Sequence, residues 1–109
     1  MQCVRLFTGA DGQSHFEEMD LSEAGTFLFV THPVTGVVFK NDPATHLGEF
    51  HNAPRRQYCI TLAGSAEIKV GDGTSRTFRA GDVFLAEDVT GQGHTVEPIN
   101  WSRAFIHTD

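Results

Sequence analysis

FHNAPRRQYCITLAG, residues 50–64, is the stretch on which the reading of this chain turns. Its second half alternates as a strand does. Gln57, Cys59 and Thr61 fall on one face, and Tyr58, Ile60 and Leu62 on the other. The apolar set predicts a core face. The polar and small set predicts a lined cavity, which in a small barrel is a pocket. His51, Arg55 and Arg56 stand just ahead of the strand, more strong donors than a core-closing strand needs. His51 lies across Pro54 and has to fold back towards Gln57.

Outward from this stretch, eleven Gly cut the chain into short runs rich in Val, Ile, Phe and Thr. Such runs read as strands. They are expected at 4–7, 26–31, 37–40, 57–63, 66–70, 75–78, 83–86, 94–96 and 102–107. Ala66, Ile68 and Val70 alternate with Glu67 and Lys69, a period of two with one wet face. Gly71-Asp72-Gly73 is hairpin chemistry and should join 66–70 to 75–78. A turn or two of helix is expected within 15–23, where Ser22-Glu23 has some capping character. Many short strands at close spacing predict an all-β sandwich or barrel. At 109 residues, without repeats or a linker, the expectation is one domain spanning 1–109.

Eight basic residues against 14 acidic ones give a formal charge of −6, which argues against a nucleic-acid partner. Cys3 and Cys59 do not make a disulfide framework, so a reduced, cytoplasmic setting is expected. No apolar run approaches a membrane span, and the N-terminus lacks the core of a signal peptide.

Residues 48–64 resemble the first motif of the cupin superfamily, in which G precedes H-x-H, then E, then G six residues later. His51 matches the first histidine, Gln57 the glutamate, and Gly64 follows after six residues. AGDVFLAEDVTGQGH, with Gly81, Asp82, Gly91, Gly93 and His94, looks like the second motif. Sixteen residues separate Gly64 from Gly81, as in small single-domain bacterial cupins. HNAPRRQY, with the AGD and GH elements, is similar to a subgroup described only as conserved barrel proteins. The resemblance implies a jelly-roll β-barrel.

Metal-binding cupins use two His, a Glu and a third His around Fe, Mn, Ni or Zn. By resemblance the ligands here are His51, Gln57 and His94, with Ala53 where the second His belongs. This set carries no formal anion, so it compensates divalent charge poorly. A further ligand would come from Glu87, Asp88, His46 or a substrate oxygen. Alternatively, the same residues are hydrogen-bonding members of a metal-free cavity. Glu87 and Asp88 stand where the second motif carries Pro and are candidate general acid or base residues, or solvated loop charge.

Arg55 and Arg56 are sequence neighbours, so if the backbone is extended at most one enters the cavity, where it would clamp an anion. A salt bridge to Glu49, Glu87 or Asp88 is the competing reading. Cys59 shares the cavity face and is placed beside the substrate as a small apolar filler, not as a nucleophile. His32 reads as a loop residue, His107 as edge strand, and Trp101 as core or dimer interface.

Two functions are carried forward. One is a metal-dependent enzyme of isomerase, lyase or dioxygenase type acting on a small oxygen-rich molecule. The other is a metal-free barrel that binds a small anion or sugar without catalysis. A homodimer is expected in either case. No nucleotide cofactor is implied, because no phosphate-cradling glycine loop precedes a helix.

Overall fold

A computed structural model describes residues 1–42 and 48–108. Seven strands form in chain order: β1 (Cys3–Thr8), β2 (Ser14–Glu18), β3 (Gly36–Asp42), β4 (Gln57–Val70), β5 (Ser75–Arg79), β6 (Val83–Ala86) and β7 (His94–His107). They make one mixed sheet in the order β2-β1-β6-β4-β7-β3, with β5 paired to the far half of β4. Only β1 and β6 run parallel. The all-β expectation holds, and the described residues contain no helix. The sheet does not close on itself; among the described residues β2 and β3 each have a free edge.

Two pairs of expected strands are single long ones. Residues 57–63 and 66–70 are continuous in β4, and 94–96 and 102–107 in β7. Each long strand changes face partway. In β4, Gln57, Cys59 and Thr61 point inward, and beyond the change Ala66, Ile68 and Val70 do. In β7, His94, Val96 and Pro98 point to the cavity, and so do Trp101, Arg103, Phe105 and His107. Odd and even positions have exchanged roles in both strands. The cause is a paired irregularity. The β4–β7 register shifts on either side of Ala63, and Asn100 takes φ 46°. Opposite it, Gly64 has φ 69°, and a Cβ there would lie 2.0 Å from the Asn100 carbonyl oxygen. Only glycine fits that approach. Close by, the Trp101 indole N–H donates to Thr61 Oγ1 at 3.0 Å, so a buried polar group is paired across the same two strands.

The inner face carries the main core. Val4, Leu6, Cys59, Ile68, Val70, Phe78, Phe84 and Trp101 pack there, with the Phe78 and Phe84 rings 4.9 Å apart. Fully burying a side chain such as Ile68 or Phe78 contributes about 1.5–3 kcal/mol. The outer face has a smaller cluster of Cys3, Tyr58, Val83 and Leu85 under Met19, Leu21 and Phe27. Tyr58 and Ile60 therefore serve this minor cluster, while Leu62, expected in the core, is 51% exposed.

Two local expectations need correction. Ser14–Glu18 is a strand paired with β1, not a helical turn, because Ser14 and Phe16 fall on one side and His15 and Glu17 on the other. Residues 26–30 form turns and bends rather than a strand; Phe29 sits at φ 64° and is 82% exposed. Phe27 instead turns its ring onto Tyr58 and His32. The glycine hairpin forms as expected, pairing Lys69 with Ser75 around Gly73 at φ 91°.

Gly64→Ala is expected to lower the unfolding free energy by about 3 kcal/mol, since strain and a backbone clash coincide there. Gly73→Ala, with positive φ but open space, should cost about 1 kcal/mol. Denaturant titration of both variants checks this; equal losses at the two positions would refute the role given to the close approach.

Candidate functional site

The inner face of β3, β4, β6 and β7, with residues 51–55, lines a cavity of about 680 Å³ that is open to solvent on one side. Of the candidate site residues, His51, Arg55, Gln57 and His94 line it, as do Trp101 and His107, which read as core or interface and as edge strand. His51 does fold back. It exchanges two backbone hydrogen bonds with His94, at 3.0 and 2.9 Å, as an isolated antiparallel bridge. Such a pair sets two side chains next to each other on one face. The imidazole centroids are 4.8 Å apart and tilted by 56°. Gly93 permits the approach: its φ is 80°, and a Cβ would lie 2.0 Å from the His51 carbonyl oxygen.

More bonds clamp residues 51–53 to the segment before β7. The Ala53 N–H donates to the Asp88 carbonyl at 3.1 Å. The Asn52 amide donates to the carbonyls of Thr90 and Gly91, each at 2.9 Å. The two motif-bearing segments thus close one wall of the cavity together.

Both imidazoles are oriented through Nδ1. In His51 it donates to the Glu49 carbonyl oxygen at 3.0 Å. A carbonyl oxygen only accepts, so the proton sits on Nδ1 and a neutral ring keeps its lone pair on Nε2. In His94, Nδ1 meets Asp88 Oδ2 at 2.5 Å. Asp88 is fully buried, and the same oxygen accepts from Ser14 Oγ at 2.7 Å. Asp88 Oδ1 is buried without a hydrogen-bond partner, and no Lys or Arg reaches this carboxylate among the described residues. His94 is its one ion-pair partner there.

The remaining candidates lie elsewhere. Arg56 does not line the cavity. Its Nε donates to Glu87 Oε2 at 2.6 Å, and Arg5 on β1 reaches the other Glu87 oxygen. The arginine pair splits, Arg55 lining the cavity and Arg56 held in a bridge, although residues 54–56 are bends ahead of β4 and not strand. Burial works against the charge of Glu87, but hydrogen bonds from Arg56 and Arg5 outweigh it and hold the carboxyl below its usual range. Neither Glu87 nor Asp88 lines the cavity; Asp88 acts through His94, and Glu87 is a bridge. Cys59 points to the Gln57 side but is buried in the main core and does not line the cavity. Burial pushes its thiol up to about 12 and that of Cys3 up to about 11. His107 lines the cavity, where its Nδ1 accepts from Arg55 at 3.2 Å. His46 lies outside the described residues.

Sequence reading missed Lys40, Asp42 and Arg103, which also line the cavity. The alternation of 38, 40 and 42 on β3 was there to be read. For β7 the bulge broke the parity that would have joined Arg103 to His94. No family model, curated protein or solved structure matches this chain. No helix of the described residues is long and apolar enough to cross a membrane.

Two outcomes are expected. Glu87→Gln should cost on the order of 1 kcal/mol near neutral pH. A depressed folded-state pKa adds stability above the usual glutamate range, and that stability is lost as the pH falls through the folded value. Urea titrations down to about pH 3 should show parent and variant converging in acid; a constant gap overturns the assignment. Neither thiol should react with a thiol reagent at about pH 8 in the native protein, and both should react in denaturant. Fast native labelling of Cys59 would contradict its burial.

Proposed function

We propose that this sheet is a small jelly roll of cupin type and that the cavity is its working site. A small oxygen-rich molecule binds there and is turned over with a divalent ion held by His51, His94 and Gln57. One observation carries the reading: both imidazoles have Nδ1 engaged by fixed acceptors, and neither Nε2 has a hydrogen-bond partner among the described residues. Metal-binding histidines are commonly oriented in this way.

The donor set fits a weakly held ion. Among the described residues no group of three or more His, Cys, Asp or Glu is arranged for a metal. The ligands would be two imidazoles and one neutral amide oxygen. Once bound, the ion supplies Lewis acidity towards an oxygen of the ligand. The protein holds the imidazoles side by side, fixes their tautomers through Glu49 and Asp88, and frames them with the apolar walls of Phe84, Ala86 and Val96. Isomerase, lyase and dioxygenase chemistry all belong to this reading. So does a homodimer through a sheet edge, for which β3 offers a side unpaired among the described residues and the 73% exposed Phe39.

The lack of an acidic ligand favours a second reading, a metal-free cavity that binds a small anion. Elemental analysis of untagged protein beside a His51→Ala, His94→Ala double variant separates the two. Near-stoichiometric Fe, Mn, Ni or Zn in the parent, lost in the variant, is expected. No metal in either protein after incubation with each ion leaves the metal-free reading.

A further inference from the structure

The cavity carries charge of the opposite sign to the rest of the molecule. The chain is net −6, yet Lys40, Arg55 and Arg103 line the cavity against a single carboxylate, Asp42. None of these three cations forms a salt bridge among the described residues, whereas Arg5, Arg56 and Arg76 do.

The arrangement of two of them is unusual. Lys40 on β3 and Arg103 on β7 are direct cross-strand partners. Both side chains lie on the cavity side, and like charges in that position are destabilising. The same ring sits beneath both: Lys40 Nζ is 5.6 Å and Arg103 Cζ 5.5 Å from the Phe105 centroid. Arg103 also stacks over Trp101 at 4.2 Å and spends one N–H on the Trp101 carbonyl at 3.1 Å. Its Nε is buried with no partner. Loss of solvent pulls the guanidinium below its ordinary range, although the Asp42 carboxylate opposes this. A half-buried guanidinium with an idle donor, opposite a second cation and in no salt bridge among the described residues, has room for an anionic partner.

We infer that Lys40 and Arg103 are an anion clamp, and that the cavity takes a small organic anion, a carboxylate or phosphate ester, with an apolar body. The anionic group lies between the ammonium and the guanidinium. The body rests on the wall formed by Trp101, Phe105 and Val38. The clamp neutralises the cross-strand repulsion when filled. It rests on the proposal that the cavity is the working site, but not on a metal.

The test uses thermal shift and calorimetry on the full chain, with and without chelator. The probes are benzoate, phenyl phosphate, inorganic phosphate and, as a neutral control, benzamide. Parent protein should be stabilised by benzoate or phenyl phosphate and not by benzamide. Which of the two wins identifies the anionic group, and stronger binding than inorganic phosphate shows the use of the apolar wall. Lys40→Met and Arg103→Gln should each weaken that binding at least tenfold. Lys40→Met should also leave the ligand-free protein at least as thermostable as the parent, because a repulsion is gone. That readout stands even if Arg103→Gln folds poorly. The inference is overturned if no anionic probe stabilises the parent at tens of millimolar, if benzamide matches benzoate, or if Lys40→Met leaves the affinity unchanged. His51→Ala, His94→Ala protein separates the two proposals. Loss of metal there, with benzoate binding indifferent to Lys40→Met, sinks the clamp alone. Benzoate binding that depends on Lys40, in a parent that takes up no metal, sinks the metal site alone.

Discussion

The close approach of Gly64 to the Asn100 carbonyl is the constraint on which the architecture depends. Alternation of side chains in a strand has a period of two, so a straight fourteen-residue strand keeps one set of positions on each face. β4 and β7 do not stay straight. Their shared irregularity lets the even positions of one half of β7 and the odd positions of the other face the same cavity. The histidine end and the arginine end of one strand therefore look onto one space. Without the exchange, His94 and Arg103 would lie on opposite sides of the sheet.

The cavity wall then follows from short-range bonds. The His51–His94 bridge, the Ala53–Asp88 bond and the Asn52 amide fasten a proline-bearing segment to the run before β7. Arg56, Glu87 and Arg5 fasten the same rim to β1 from outside. Charge is sorted by this geometry. Acidic residues outnumber basic ones over the chain, while bases outnumber acids along the cavity.

Much of this was legible in the sequence where the signal is local. The glycine hairpin and the strand character of 57–70 and 83–86 follow from residue type and alternation. Residues 26–31 misled because TFLFVT has high β propensity but no strand beside it. Residues 14–18 misled because a five-residue strand offers too few positions to separate a period of two from a helical turn. Asp88 read as a general acid or base or as solvated loop charge, since nothing local shows Ser14 and His94 converging on it. Lys40 and Arg103 were missed for a related reason. Their meeting depends on a register between strands more than sixty residues apart in the chain. Their sharing of one cavity with His94 depends on a change of face that no alternation rule anticipates.

The serine that supports Asp88 comes from β2, and β2 is the outermost strand on its side of the sheet. Edge strands open at lower free energy than central ones. Each time β2 frays, Ser14 leaves, and the carboxylate that orients His94 loses one of its two donors. The orientation of a cavity imidazole is thereby coupled to breathing at the periphery. A molecule or surface that pairs with the free side of β2 would steady that imidazole without entering the cavity at all.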